Sequence, residues 1–131
     1  MRLSTRFRYG SRAMAELAKA RPRQTISVRE IAERQGVSVK YLEQIMATLK
    51  AAGLARSVRG VRGGYELARP PGSILLSDVF AALEGSTAPV ECVEHPEVCS
   101  MQHACPTRKT WLKLAEAING VLSTTKVADL V

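Results

Sequence analysis

Residues 27–67 read S-V-R-E-I-A-E-R-Q-G-V-S-V-K-Y-L-E-Q-I-M-A-T-L-K-A-A-G-L-A-R-S-V-R-G-V-R-G-G-Y-E-L, and the order of signals in this stretch decides the fold. Ser27 and Glu30 form a capping-box pair ahead of apolar Ile31 and Ala32, and Gly36 stops the short helix they begin. After the turn at Gly36-Val37, Ser38 is a good N-cap for a second helix. That helix carries Leu42, Ile45, Met46 and Leu49 on one face and ends at Gly53. Two helices joined by a tight glycine turn predict a helix-turn-helix, whose second helix lies in the major groove with its N-terminal side chains toward base edges. Ser38, Lys40, Tyr41, Glu43 and Gln44 are the candidates for that contact. Gln44 can pair with adenine in bidentate fashion, Glu43 can accept from cytosine N4, and Ser38 and Lys40 suit phosphate or a purine edge. The same polar residues would also serve as an ordinary solvent face.

The segment after the second helix favours DNA. Leu54–Val58 and Tyr65–Leu67 alternate apolar and polar residues on either side of the tip R-G-V-R-G-G, predicting a β-hairpin wing. Arg56, Arg59, Arg62 and Arg69 line it. The glycines permit close backbone approach, so Arg59 or Arg62 can enter a minor groove while the helix occupies the major one.

Upstream, residues 9–20 are alanine-rich and place Tyr9, Ala13, Leu17 and Ala20 at helical spacing, which predicts a first helix ending before Pro22. Downstream, Pro70-Pro71-Gly72 breaks the chain. An apolar run then leads to an expected N-cap at Ser77 and a helix bearing Val79, Phe80 and Leu83. From Thr107, Trp111, Leu114, Ala115, Ile118, Val121 and Leu122 recur at intervals of three and four along a long amphipathic helix. That stripe exceeds the needs of a compact N-terminal module and is read as a dimerisation element, whose two-fold symmetry would match a palindromic operator. The expected architecture is mainly α with a small β-hairpin wing. Residues 1–70 form the winged helix-turn-helix, and residues 71–131 form a ligand-holding loop and the dimerisation helix, in one integrated domain.

Charge agrees with this division. The chain of 131 residues has a net charge of +7. Residues 1–70 hold 15 of the 19 Lys/Arg and 5 of the 12 Asp/Glu, whereas residues 71–131 balance to −3. A basic half of this size attracts polyanions, and the scarcity of aromatics, 5% of residues, disfavours a single-strand stacking platform. The sequence has no apolar run long enough to span a membrane and no signal-peptide pattern at its start, so a cytoplasmic location is expected.

All three cysteines fall within C92-V-E-H-P-E-V-C99-S-M-Q-H-A-C105. This segment lacks helix or strand periodicity and is read as a loop. Thiolates are soft ligands for zinc, copper(I) or iron–sulfur clusters, and His95 and His103 lie among them. An odd number of cysteines argues against a complete disulfide framework. Inert or redox-sensing thiols are the alternative reading. A cysteine nucleophile partnered by either histidine is a remote one, since no phosphate loop or carboxylate pair accompanies it.

Taken together, M-R-L-S-T-R-F-R-Y-G-x-R-A-M at the start, S-V-x-x-I-A-E-R-Q-G-V-S-V-K-Y-L-E-Q-I-M, the wing S-V-R-G-x-x-G-G-Y-x-L and the three-cysteine loop before a Trp-containing helix resemble the IscR/NsrR-type family of bacterial winged-helix transcription regulators. The resemblance covers nearly the whole chain. It implies a homodimer with crossed long helices and a cluster loop near the crossing, with Cys92, Cys99 and Cys105 as cluster ligands, Glu43 and its neighbours reading bases, and Arg59 in the wing. It also exposes a departure. The position that supplies a histidine ligand in IscR-like members is Arg108, and the acidic N-terminal position used in NsrR-like members is Arg8; arginine stays protonated and does not ligate. His103 is then the first candidate for a fourth ligand and His95 the second, with two-iron and four-iron clusters both open. The expected function is a repressor or activator responding to iron, redox state or nitric oxide, with a zinc-binding or thiol-based regulator as alternative.

Overall fold

The computed structural model describes residues 2–20 and 22–131. Helix α1 spans Thr5–Lys19 and begins four residues earlier than its alanine-rich stretch suggests. Ser4 caps it through its side-chain oxygen, which accepts the Phe7 N–H, and Phe7 then enters the core. Helix α2 spans Val28–Gln35 and α3 spans Val39–Ala51. Gly36 terminates α2 in the left-handed conformation at φ 65°. The Ser27 oxygen accepts the Glu30 N–H at 3.1 Å, but the Glu30 carboxylate turns to Arg34. Only half of the expected capping box therefore forms.

Strands β1, Ala55–Val58, and β2, Gly64–Leu67, pair antiparallel with Ala55 opposite Leu67 and Val58 opposite Gly64. Ile26 adds a bridge to the outer edge of β2: its N–H donates to the Tyr65 carbonyl at 2.9 Å and its carbonyl accepts from the Tyr65 N–H at 2.8 Å. Gly64 makes this contact possible, since a Cβ there would lie 2.6 Å from the Ile26 carbonyl oxygen.

Helix α4, Leu76–Leu83, is capped at Leu75 and not at Ser77. Asp78 reaches back to accept the Leu75 N–H at 2.9 Å, and Leu75 is itself bridged to Lys126, so the tertiary pairing fixes the start of the helix. A four-residue turn of helix α5, Glu91–Glu94, and a 3-10 turn, Pro96–Val98, precede α6, Arg108–Thr124. The cysteine segment thus holds short helical turns where the sequence suggested a plain loop. They are too short for apolar periodicity to reveal them.

One hydrophobic core runs through both halves of the chain. Met14, Ile31, Leu42, Ile45, Met46 and Leu49 meet Ile74, Val79 and Val127 within it. Helix α4 joins the packing of the two halves, touching α1, α3 and α6. Gly10 of α1 permits that approach, because a side chain there would collide with Leu83 of α4.

Candidate DNA interface and cysteine segment

Helix α3 buries Leu42, Ile45, Met46 and Leu49, the four residues its periodicity selects, and therefore turns Lys40, Glu43 and Gln44 to solvent. Ser38 is exposed, but its oxygen accepts the Tyr41 N–H at 3.1 Å, leaving its own hydroxyl proton for an outside acceptor. Tyr41 is half-buried. Its hydroxyl lies 3.1 Å from Thr5 Oγ1, and its ring stands edge-on to Tyr9. It braces α3 against α1 as much as it faces outward. Arg6 adds a second brace, donating to Thr48 Oγ1 at 3.0 Å. No period in the chain marks either contact.

Glu16 of α1 ties down the end of α2, the first helix of the helix-turn-helix. This carboxylate is only 9% exposed, accepts from Arg34 at 2.9 Å and from the Gln35 side chain at 3.3 Å, and lies 3.6 Å from Lys19. The bond from Arg34 to Glu16 also raises the guanidinium's already high pKa. Arg59, Val61 and Arg62 are exposed at the wing tip, while Arg56 is paired with Glu66 across the hairpin at 2.7 Å.

The three cysteines are all partly exposed. Cys92 sits in α5, Cys99 ends the 3-10 turn, and Cys105 stands three residues before α6. Thr107, the N-cap of α6, makes no side-chain cap bond; its hydroxyl lies 3.3 Å from Cys105 Sγ. That hydroxyl, the backbone N–H groups of Thr107 and Arg108, and the Arg108 charge lower the Cys105 pKa against a smaller opposing effect of burial. Arg108 also reaches across the segment, donating from Nη1 to the Cys92 carbonyl at 2.6 Å. His95 is exposed with Nδ1 3.5 Å from Glu97, and His103 is exposed. Among the described residues no three His, Cys, Asp or Glu side chains converge on one point. The chemistry of the donor set, three accessible thiols with two imidazoles nearby, still fits a soft metal or an iron–sulfur cluster.

A capped recognition helix followed by a basic hairpin, both facing solvent on one core, defines a winged helix-turn-helix regulator of transcription. Residues 3–131 match the model of the Rrf2 family, described as an iron-dependent transcriptional regulator, and the chain belongs to that family. It is 43% identical over 130 residues to protein rrf2 of Nitratidesulfovibrio vulgaris, covering 99% of this chain and 87% of that one. It is 38% identical over 130 residues to the HTH-type transcriptional regulator CymR of Bacillus subtilis, covering 99% and 89%. The solved structure of that CymR, described as the global cysteine regulator of B. subtilis, superposes with a TM-score of 0.86 over 99% of this chain and 95% of its own. IscR of T. potens superposes with a TM-score of 0.81 at 38% identity, over 99% and 85%. Relatives named as transcriptional regulators match this chain over 99% and 100% of its length, which makes it a regulator and not an enzyme. Among the described residues no helix is long and apolar enough to cross a membrane.

Proposed function

We propose that the protein is a homodimeric, operator-binding regulator whose sensor is the segment from Cys92 to Cys105. The observation that carries this reading is one of connection. The segment runs directly into α6, Arg108 ties its far end to the first turn of that helix, and α6 packs on α4, which packs on recognition helix α3. Ordering or release of the segment therefore acts on the base of α6. Because packed helices shift as bodies, it biases the spacing of two recognition helices in a dimer.

The partner copy covers the outer face of α6. Ile118 and Leu122 pack into the subunit's own core and Ala115 is buried, whereas Leu112 and Val121 stay 37% and 64% exposed. Cys92, Cys99 and Cys105 would hold an iron–sulfur cluster, with His103, then His95, as fourth ligand. When bound, the cluster supplies a tie between separate turns that iron supply, oxidation or nitric oxide can undo. Relatives named IscR and the family's iron-dependent description support this reading.

A second reading has its own observation. Thr107 and Arg108 hold Cys105 toward its thiolate, the form that oxidants attack, so a metal-free thiol switch is the alternative.

Anaerobic purification and a visible spectrum, with iron, sulfide and zinc analysis, separate these. Iron and sulfide in near-equal amounts, lost in Cys92→Ala, support the cluster. A colourless protein with zinc replaces it with a zinc site. A metal-free protein whose DNA affinity changes reversibly with peroxide supports the thiol switch.

A further inference from the structure

The connection between α1 and α2 carries a second basic feature that the helix and wing do not account for. Arg23 is the only non-glycine among the described residues with positive φ, at 66°, a conformation that costs an arginine free energy and that tertiary contacts must hold. Two contacts beside it do so. Thr25 Oγ1 donates to the Arg62 carbonyl, and Ile26 is bridged to Tyr65, so the residues just after Arg23 are pinned along the wing.

Arg23, Arg59 and Arg62 thereby line one cleft of about 1100 Å³, walled by the wing and by the start of α2. The capped N-terminus of α2 at Ser27 adds the positive end of a helix dipole to the same cleft. Among the described residues Glu30 is the one acidic side chain lining it, and its carboxylate is already paired with Arg34. Among the described residues none of the three arginines takes part in an ion pair with a carboxylate. The cleft is open, with arginines on the wing and on the connection before α2, which fits an anionic strand passing through it and not an enclosed small molecule. Its walls belong to α2 and the wing, which contact or directly follow recognition helix α3.

We propose that Arg23 is a third arm of the DNA interface, gripping with Arg59 and Arg62 the sugar–phosphate strand of a duplex that lies in this cleft. The inference rests on the reading of the chain as a DNA-binding regulator and adds a contact from outside the helix-turn-helix and wing. Its chemistry is phosphate recognition, so it contributes affinity and register and not base choice.

The test compares full-length wild type, Arg23→Asn and Arg23→Lys. Asparagine suits a left-handed backbone and removes the charge; lysine keeps the charge. The probes are a duplex that wild type selects from a random-sequence pool and a scrambled duplex of the same length, titrated by fluorescence anisotropy across a salt series. Arg23→Asn is expected to weaken both duplexes several-fold by the same factor and to reduce the salt slope by about 1, with an unchanged or higher thermal midpoint, while Arg23→Lys keeps the wild-type slope. A wild-type slope in Arg23→Asn overturns the proposal while leaving the DNA-binding reading intact, as does a loss confined to the selected duplex. Failure of wild type to bind either duplex overturns both.

Discussion

Arg108 Nη1 donates to the carbonyl oxygen of Cys92 at 2.6 Å, so the first residue of α6 holds the far end of the cysteine segment in place. The two residues are 16 apart in sequence, and the bond closes the segment into a loop anchored on the helix. Arg108→Ala should release that anchor. Hydrogen exchange over residues 91–105 is expected to quicken while α3 and the core keep their protection, and equal exchange in both proteins would refute the anchoring role.

Cys105 titrates below the ordinary thiol value, chiefly because the Thr107 hydroxyl bonds its sulfur. A depressed acid pKa favours the folded thiolate, so the stabilisation is present above the unfolded pKa and lost as pH falls through the folded one. In a Cys92→Ser, Cys99→Ser background under metal-free conditions, the alkylation rate should rise with a midpoint below that of a free thiol. Thr107→Val should move that midpoint upward. An unmoved midpoint would show that the hydroxyl is not the cause.

Glu16→Ala leaves the Gln35 amide and the Arg34 guanidinium without their buried acceptor. Arg34 is half-exposed and keeps Glu30, so the expected loss in urea unfolding is that of ordinary hydrogen bonds, about 0.5–1.5 kcal/mol. Because α2 then loosens against α1, DNA affinity should fall with stability.

Gly64→Ala places a methyl group against the backbone of Ile26 and Ser27, neither of which can yield as a side chain end would. A destabilisation of about 1–3 kcal/mol is expected. Undocking of the wing should accompany it, read as faster exchange of the Ile26 and Tyr65 amides.

Base reading and phosphate holding should separate by mutation. Glu43→Ala is expected to relax sequence discrimination at one base pair at a cost of about 1–3 kcal/mol, whereas Lys40→Ala weakens all duplexes alike and lowers the salt slope by about 1. Competition titrations with single-base operator variants check both.

Val121 is the most exposed large apolar residue of α6, and Val121→Glu should turn the proposed dimer toward monomer. Burying a valine is worth roughly 1.5–3 kcal/mol, so the dissociation constant should rise at least about tenfold by sedimentation. An unchanged constant would place the dimer contact elsewhere.

The sequence alone determined the helix-turn-helix, the wing and the core face of α3. These are local statements: a serine cap, a glycine stop and an apolar period each act within a few residues, and Ser27, Ser38, Gly36 and the Leu42–Leu49 stripe stand where those signals put them. It also gathered the thiols, because three cysteines within one short segment need no fold to be noticed. Only the tertiary structure decided the capping of α4 at Leu75, the turn of Glu30 toward Arg34, the Thr107 hydroxyl spent on Cys105, the reach of Arg108 to Cys92 and the placing of Arg23 beside the wing. In each case two or more local partners were chemically equivalent. The choice fell to whichever donor or acceptor the packing of distant segments brought within hydrogen-bond reach, and no period in the chain encodes that distance.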